Sequence, residues 1–560
     1  MPSTKYKQRK TPGVYITELA AFPPSIIGVQ TAVPAFVGYT QTAEIGGKPI
    51  YNKPVNIHSL VDYEAVFGRG YKTTYAINEL NPTVPADKEK IDAGDYDFKV
   101  FDAESTPPEF KYYFLAPKDD EKSFNLYNSM RLFFENGGGN CYVVSVGNYT
   151  EDITKDKLAA GLEAISEQSG PTMLVMPDAV LLPPTTATPV VPYVSQDFKD
   201  ITNAMINQSA ELKDRVAILD VYGTNLIGSD AEITMDKVIA EFRTDLNQEN
   251  LSYGMSYFPF LETTVQAIDS VNYTYVDPDI GVGANSPYHA LKEVLDYQNY
   301  NLYYDPDADP INSKQGGARY LQIEDDISKL EPISSTFTAE EATCLNQNLS
   351  AALPLLSDIS AVILLKSSQL PPSGAMAGVY TRVDNSKGVW NAPANVSLTS
   401  VRQVSQQINN EQQGDLNVPV DGKAVNAIRE FPGRGTLVWG ARTLDGNSND
   451  WRYVQVRRTL VYVEQSIKKA LDQFVFAAND GQTWTTVTSM VSNFLQGLWS
   501  QGGLMGATAS EAFTVECGLG STMTGQDVLE GYMIVQVTLQ MIRPAEFIEL
   551  TFKQKMEGVS

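Results

Sequence analysis

The chain has 560 residues, of which 43% are hydrophobic and 19% charged, and a formal net charge of −25. Such a length buries a large core over two or three domains, and the composition excludes a disordered polyelectrolyte. The acidic balance excludes a nucleic-acid partner, which demands a basic face, and no apolar run approaches the roughly 18 residues that insert directly into a membrane.

The first ten residues carry Lys5, Lys7, Arg9 and Lys10 without an acid, so they read either as a solvated tail or as an arm for an acidic neighbour. This start lacks the apolar stretch of a secretory signal, and the chain is expected to be made in the cytoplasm. Next, GVYITE (13–18), with Val14, Tyr15 and Ile16, gives a short strand signal behind Pro12–Gly13. TAVPAFVGYT (31–40) reads as a buried strand.

Between about 30 and 370, helical and β-rich patterns alternate. In NLYNSMRLFFENGGGNCYVVSVG (125–147), Leu126, Met130, Phe133 and Phe134 share a helical face, Gly137 to Gly139 stop the helix, and a strand comes next. The same unit recurs at 158–180, at 198–223, and where MDKVIAEFRTDL leads to LSYGMSYFPFL. Helices between short β-rich runs predict an α/β domain with a mainly parallel sheet. Residues 81–122, proline-rich and highly charged without a sustained period, read as a surface insertion. LLPPTTATPVVPYVSQ (181–196) reads as an extended loop.

The last part changes character. VRRTLVYVEQSIKKALDQFVF predicts a helix with Leu460, Val463, Ile467, Leu471 and Phe474 on one face. TTVTSMVSNFLQGLWSQGG predicts a second amphipathic helix, stopped by Gly502–Gly503. Three strand signals come after it: AFTVECG, YMIVQVTLQM (Met533, Val535, Val537, Leu539 and Met541 on one face) and EFIELTF (Ile548, Leu550 and Phe552). Two helices and a small sheet define an α+β domain. The strand signals at the two termini either pair within the chain or are exchanged between subunits by β-augmentation; pattern leaves both open.

Sites for chemistry are sparse in the sequence. His58 and His289 stand apart from any Cys/His cluster, and Cys141, Cys344 and Cys517 follow no metal or redox spacing and fit buried thiols in a reducing compartment. No G-x-S-x-G, P-loop or H-E-x-x-H occurs. Asp305, Asp307 and Asp309 imitate half a calcium loop, but Pro310 replaces the turn glycine and Gly316 stands where the bidentate Glu belongs. No catalytic residue, metal or cofactor is expected, although a carboxylate-based α/β enzyme leaves no signature and stays open as the alternative.

PPSGAMAGVYTRVDNSKGVWNAPAN (371–395), VNAIREFPGRGTLVWGARTL (425–444), WRYVQVRRTLVYVEQSIKKAL (451–471), RPAEFIELTF (543–552) and TPGVYITE (11–18) together resemble contractile tail sheath proteins of phages, pyocin-type particles and phage-tail-like injection systems. The resemblance is dense from about 370 to 552 and weaker before. It implies an N-terminal arm (1–20), an outer α/β domain (21–370), a sheath core domain (371–545) and a C-terminal arm (546–560). It further implies a homo-oligomeric sheath lattice around an inner tube protein, with baseplate and tail-terminator or cap proteins at its ends and other sheath paralogues as further partners. Contraction would drive the tube through a target envelope. The arms are Val14, Tyr15 and Ile16 at one end, and Phe547, Ile548, Leu550 and Phe552 at the other. Arg434, Arg442, Arg457 and Arg458, with Arg452 beside them, have the chemistry for bidentate carboxylate contacts within or between subunits. The resemblance places the chain in a phage tail or tail-like particle, released by lysis or anchored in the producing cell.

Overall fold

The computed structural model describes residues 26–118, 122–186, 191–230, 232–244, 246–267, 270–278, 287–305 and 317–550. The chain divides into two units, Gln30–Arg458, and Met1–Val29 with Thr459–Ser560.

The larger unit is organised by a nine-stranded sheet. Its parallel strands lie side by side in the order Cys141–Asn148, Pro34–Thr40, Met173–Val175, Val216–Leu219, Gly254–Phe258 and Asn426–Phe431. Antiparallel strands close both edges: Val55–Ile57 on one side, Gly435–Val438 and then Val396–Ser397 on the other. All seven residues of Pro34–Thr40 are buried, as a strand covered on both faces requires. Ala35, Val37 and Tyr39 join the core formed with Leu158 and Leu162 of the helix Lys155–Ser166 and with Phe198, Ile201 and Met205 of Gln196–Leu212. Phe36 points the other way, edge-on to Phe133 of the helix Leu126–Glu135 at 5.2 Å. Successive side chains of a strand alternate between faces, so helices cover both sides of the sheet.

The second helix on the Phe36 side is Ser373–Lys387, which packs along Leu126–Glu135. Gly374 and Gly378 permit this close approach. A Cβ at 374 would lie 2.7 Å from the Ser129 carbonyl oxygen, and one at 378 would lie 2.5 Å from that of Phe133. This helix packs on the large sheet and Asn426–Phe431 and Gly435–Val438 are strands of it, so all three lie in the unit Gln30–Arg458, whose end at 458 differs from the expected boundary at 370/371. The dense motif resemblance begins at 371, but the apolar faces on either side of that position pack into one sheet.

A second core lies in the same unit. Strands Tyr75–Leu80, Glu109–Pro117 and Phe98–Asp102 form an antiparallel sheet, with Phe98, Val100, Tyr113 and Leu115 buried against helices His289–Tyr303, Gly317–Ser328, Ala339–Ala352 and Pro354–Ser367. The segment 81–122 is therefore not the patternless excursion expected: it holds the helix Pro85–Ala93 and two of these strands. Its core residues are two short alternations, Phe98 and Val100 with Lys99 between them and Tyr113 and Leu115, each too brief to stand out in sequence. The described part of 181–196, between the 3₁₀ turn Pro177–Leu181 and the next helix start, is a loop, tied by the Thr185 N–H donating to the Val194 carbonyl at 2.8 Å.

The helix Val454–Leu471 crosses the division. In the smaller unit it is followed by Gly481–Ser500, whose Val487, Met490, Val491, Leu495 and Leu498 are buried. Asp480 caps this helix by accepting the Thr483 N–H at 2.9 Å, and Gly502 (φ +79°) turns the chain away from its end. Strands Phe513–Glu516 and Gln536–Leu539 pair antiparallel, Val515 opposite Val537.

Candidate assembly interface

The smaller unit ends in a sheet that is minimal by itself. Among the described residues the pair Phe513–Glu516 and Gln536–Leu539 has no third strand, and a two-stranded sheet is at best marginally stable alone. Alternation is regular: Met533, Val535, Val537, Leu539 and Met541 are half-buried, and Ile534, Gln536, Thr538 and Gln540 are exposed. Residues 543–550 form no strand here, in contrast to the strand expected over EFIELTF. Phe547, Ile548 and Leu550 are 78%, 78% and 73% exposed, so the apolar tail leaves its own unit uncovered. Leu519, Leu529 and Tyr532 of the same unit are exposed as well. Contiguous exposed apolar side chains of this kind mark interaction surfaces. Val14, Tyr15, Ile16 and Phe552 lie outside the described residues. The chain just behind the N-terminal segment is held on the helix Val454–Leu471, where the Val29 N–H donates to Ser466 Oγ at 3.1 Å.

Three of the four candidate interface arginines turn inward. Arg458, 4% exposed, donates to both carboxylate oxygens of Asp384 at 2.9 and 2.6 Å, donates to the Thr31 carbonyl at 3.1 Å and lies 4.5 Å from the Tyr380 ring. Burial opposes its charge, but the Asp384 carboxylate outweighs burial and holds the guanidinium above its ordinary value. Arg457 stacks on Trp451 and Tyr253, with ring centroids at 3.9 and 4.3 Å, and donates to Ser252 Oγ at 2.7 Å. Arg442 is buried and donates to the Asn417 carbonyl at 3.1 Å. Arg452 binds its own turn through the Ser448 carbonyl at 2.8 Å. These partners lie within the chain, the first of the two alternatives, within or between subunits, that the sequence leaves open. Arg434 alone of the four is exposed. It sits on the tight turn between Asn426–Phe431 and Gly435–Val438, shaped by Gly433 and Gly435 at φ +75° and +74°, and donates to Asn395 Oδ1 at 2.5 Å.

Two further polar side chains were not legible in sequence. Asp178 accepts the N–H groups of Tyr39 (2.8 Å), Asn125 (2.7 Å) and Leu126 (3.1 Å), and so caps the helix Leu126–Glu135. Asp220 accepts the Ser373 N–H at 2.8 Å and its hydroxyl at 2.5 Å, at the start of Ser373–Lys387. Burial pushes their carboxyls up to about 6 and about 7, against the lowering effect of these donors. His58 and His289 are exposed, Cys141 is buried with burial raising its thiol, and Cys344 is exposed. Among the described residues no group of three or more His, Cys, Asp or Glu is placed to hold a metal ion, and no single helix is long and apolar enough to cross a membrane.

By class, this is a multidomain α/β chain with the architecture of phage-type sheath proteins. Residues 447–555 match the phage tail sheath C-terminal domain model. The tail sheath protein of Burkholderia phage BcepMu is 28% identical over 144 residues, 25% of this chain; the match spans 30% of that phage protein. The contracted helical sheath of the anti-feeding prophage is similar over 98% of this chain and all of that one, at 26% identity and a TM-score of 0.54. A chain of the anti-feeding prophage baseplate is similar over 98% and 100%, at 25% identity and a TM-score of 0.54. The chain thus carries a phage tail sheath C-terminal domain match over 447–555 and is similar along its length to the sheath of the anti-feeding prophage.

Proposed function

We infer that the chain is a structural subunit of a contractile sheath: it polymerises around an inner tube, and shortening of the lattice drives the tube through a target envelope. The observation that carries this reading is the likeness along 98% of the chain to a sheath in its helical, contracted assembly. On this reading the lattice is homo-oligomeric, joins a baseplate at one end and a terminator or cap at the other, and belongs to a phage tail or tail-like particle made in the cytoplasm.

Terminal arms link the copies. The exposed tail through Phe547, Ile548 and Leu550 adds as a strand beside the two-stranded sheet of a neighbour, satisfying unpaired edge groups. Burying three such side chains yields about 1.5–3 kcal/mol each, and each backbone hydrogen bond about 0.5–1.5 kcal/mol net. Ordering the segment costs about 1–2 kcal/mol per residue, leaving a balance on the order of a few kcal/mol per arm. That suffices to keep a mesh joined while the bodies turn and repack as rigid units, the extended state holding the free energy for one stroke.

The test is negative-stain microscopy of the purified full-length chain and of chains lacking 1–18 or 546–560. Full-length protein is expected to form tubes. Each deletion is expected to give a folded, soluble protein, verified by its melting transition, that forms none. Tubes from both deletions would remove the arm assignment, and no tubes from the intact chain under any assembly condition would count against the sheath reading itself.

A further inference from the structure

The first five parallel strands in chain order stand in space as second, first, third, fourth, fifth, so the winding reverses between Pro34–Thr40 and Met173–Val175. In open α/β sheets ligands bind outside the carboxyl ends of the strands near such a reversal. Here that edge carries a cavity of about 200 Å³. Leu181, Asn225 and Phe260, each just beyond the carboxyl end of one of these strands, form its floor with Phe124 and Asn128 at the start of Leu126–Glu135. Tyr75 and Lys366 of the second core roof it.

The wall chemistry narrows the ligand. The N–H groups of Asn125 and Leu126, at the helix start where this fold holds anions, are already taken by the Asp178 carboxylate. A phosphate would find those two donors occupied. Lys366 is the one charged residue among the described lining residues, and its Nζ is committed to Asp97 at 2.8 Å and to the Leu115 carbonyl at 2.7 Å. The remaining wall is amide, hydroxyl and aromatic surface. Asn128 is 9% exposed and makes no side-chain hydrogen bond to another described residue. Lining the cavity, its amide is available to a ligand or water there. At about 30 Å³ per water the cavity holds roughly six or seven, the room taken by one compact polyol ring.

We propose that this cavity is a binding site for a neutral, hydroxyl-rich molecule of monosaccharide size, held by the amides of Asn128 and Asn225 against the rings of Phe124 and Tyr75. The occupant bridges the large sheet and the second core within one unit, independently of how the arms link copies.

Isothermal titration calorimetry of the full chain with glucose, N-acetylglucosamine and glucose 6-phosphate tests this, alongside Asn128→Leu and the exposed-site variant Asn225→Ala. Saturable binding of at least one neutral sugar is expected, with glucose 6-phosphate weaker than glucose. A tenfold or greater loss is expected in whichever of the two variants retains the wild-type melting transition. Absence of saturable binding by either neutral sugar means a water-filled cavity and overturns the proposal. So does equal binding by the wild type and every folded variant, or binding of the phosphate ester as tightly as glucose.

Discussion

Replacing Arg458 by Met separates a structural role from an interface role for the sheath-like arginine cluster. The guanidinium and its partner carboxylate have side-chain exposures of 3% and 1%, and they meet at 2.6 Å through one of two hydrogen bonds. Removing one member of such a pair leaves the other charge buried and unpaired, at a cost of about 3–5 kcal/mol. Asp384→Leu is expected to cost a comparable amount. The double variant Arg458→Met/Asp384→Leu has no stranded charge and is expected to recover most of the loss, since apolar replacement of a whole buried pair is often neutral or stabilising. Urea denaturation of the chain lacking 546–560, expected not to assemble, reads the four corners of the cycle without interference from polymerisation. A positive coupling of several kcal/mol is expected. Unchanged denaturation midpoints in both single variants, together with loss of tubes when Arg458→Met is made in the intact chain, would refute the intrachain assignment and return Arg458 to the subunit interface.

The same packing fixes other outcomes. Ile548→Asp/Leu550→Asp puts charges on a tail that is already exposed, so the melting transition of the isolated chain should stay within about 0.5 kcal/mol, while tube formation seen by microscopy is lost. Gly378→Ala is expected to destabilise by about 1–3 kcal/mol, because the new methyl meets the Phe133 carbonyl and both helices must give way. Gly497→Ala, where nothing lies within 4 Å, should instead stabilise by about 0.5–1 kcal/mol, and denaturant melts distinguish the two. Asp220 has a folded-state carboxyl raised to about 7 by burial, against 3.8 ordinarily. A raised folded value means the folded state holds the proton more tightly, so this group favours folding at low pH and loses that contribution as pH rises from about 4 through 7. At about 1.4 kcal/mol per unit the swing is on the order of 4 kcal/mol. Asp220→Asn should flatten the pH dependence relative to the wild type when both are melted at pH 5 and pH 8; parallel curves would sink the assignment.

Sequence patterns reported some of this architecture because they record local periodicity. The buried run at 34–40, the apolar face of 126–135 and the alternation from Met533 to Met541 are each visible over several residues, and each is where the structure puts an element or a half-buried face. Long-range partnership is harder to see. The strand Asn426–Phe431 lies in parallel beside Gly254–Phe258, a pairing that nothing near residue 426 announces. The acids at 178 and 220 bond to backbone N–H groups and a serine, which carry no complementary charge to mark them. Similarly, a linear reading leaves Arg442, Arg457 and Arg458 open as contacts within or between subunits, whereas in the chain aromatic rings, carbonyls, a serine hydroxyl and one carboxylate surround them. The tail at 546–552 has the alternation of a strand in sequence, whereas its described residues 546–550 form none.

Cryo-electron microscopy of the assembled tube tests the central claim most directly, by tracing residues 546–552 from their own body. They are expected to run as an added strand beside Phe513–Glu516 or Gln536–Leu539 of a different copy. Density in which that segment returns to the sheet of the chain it belongs to, with no strand passing between copies, would contradict the account.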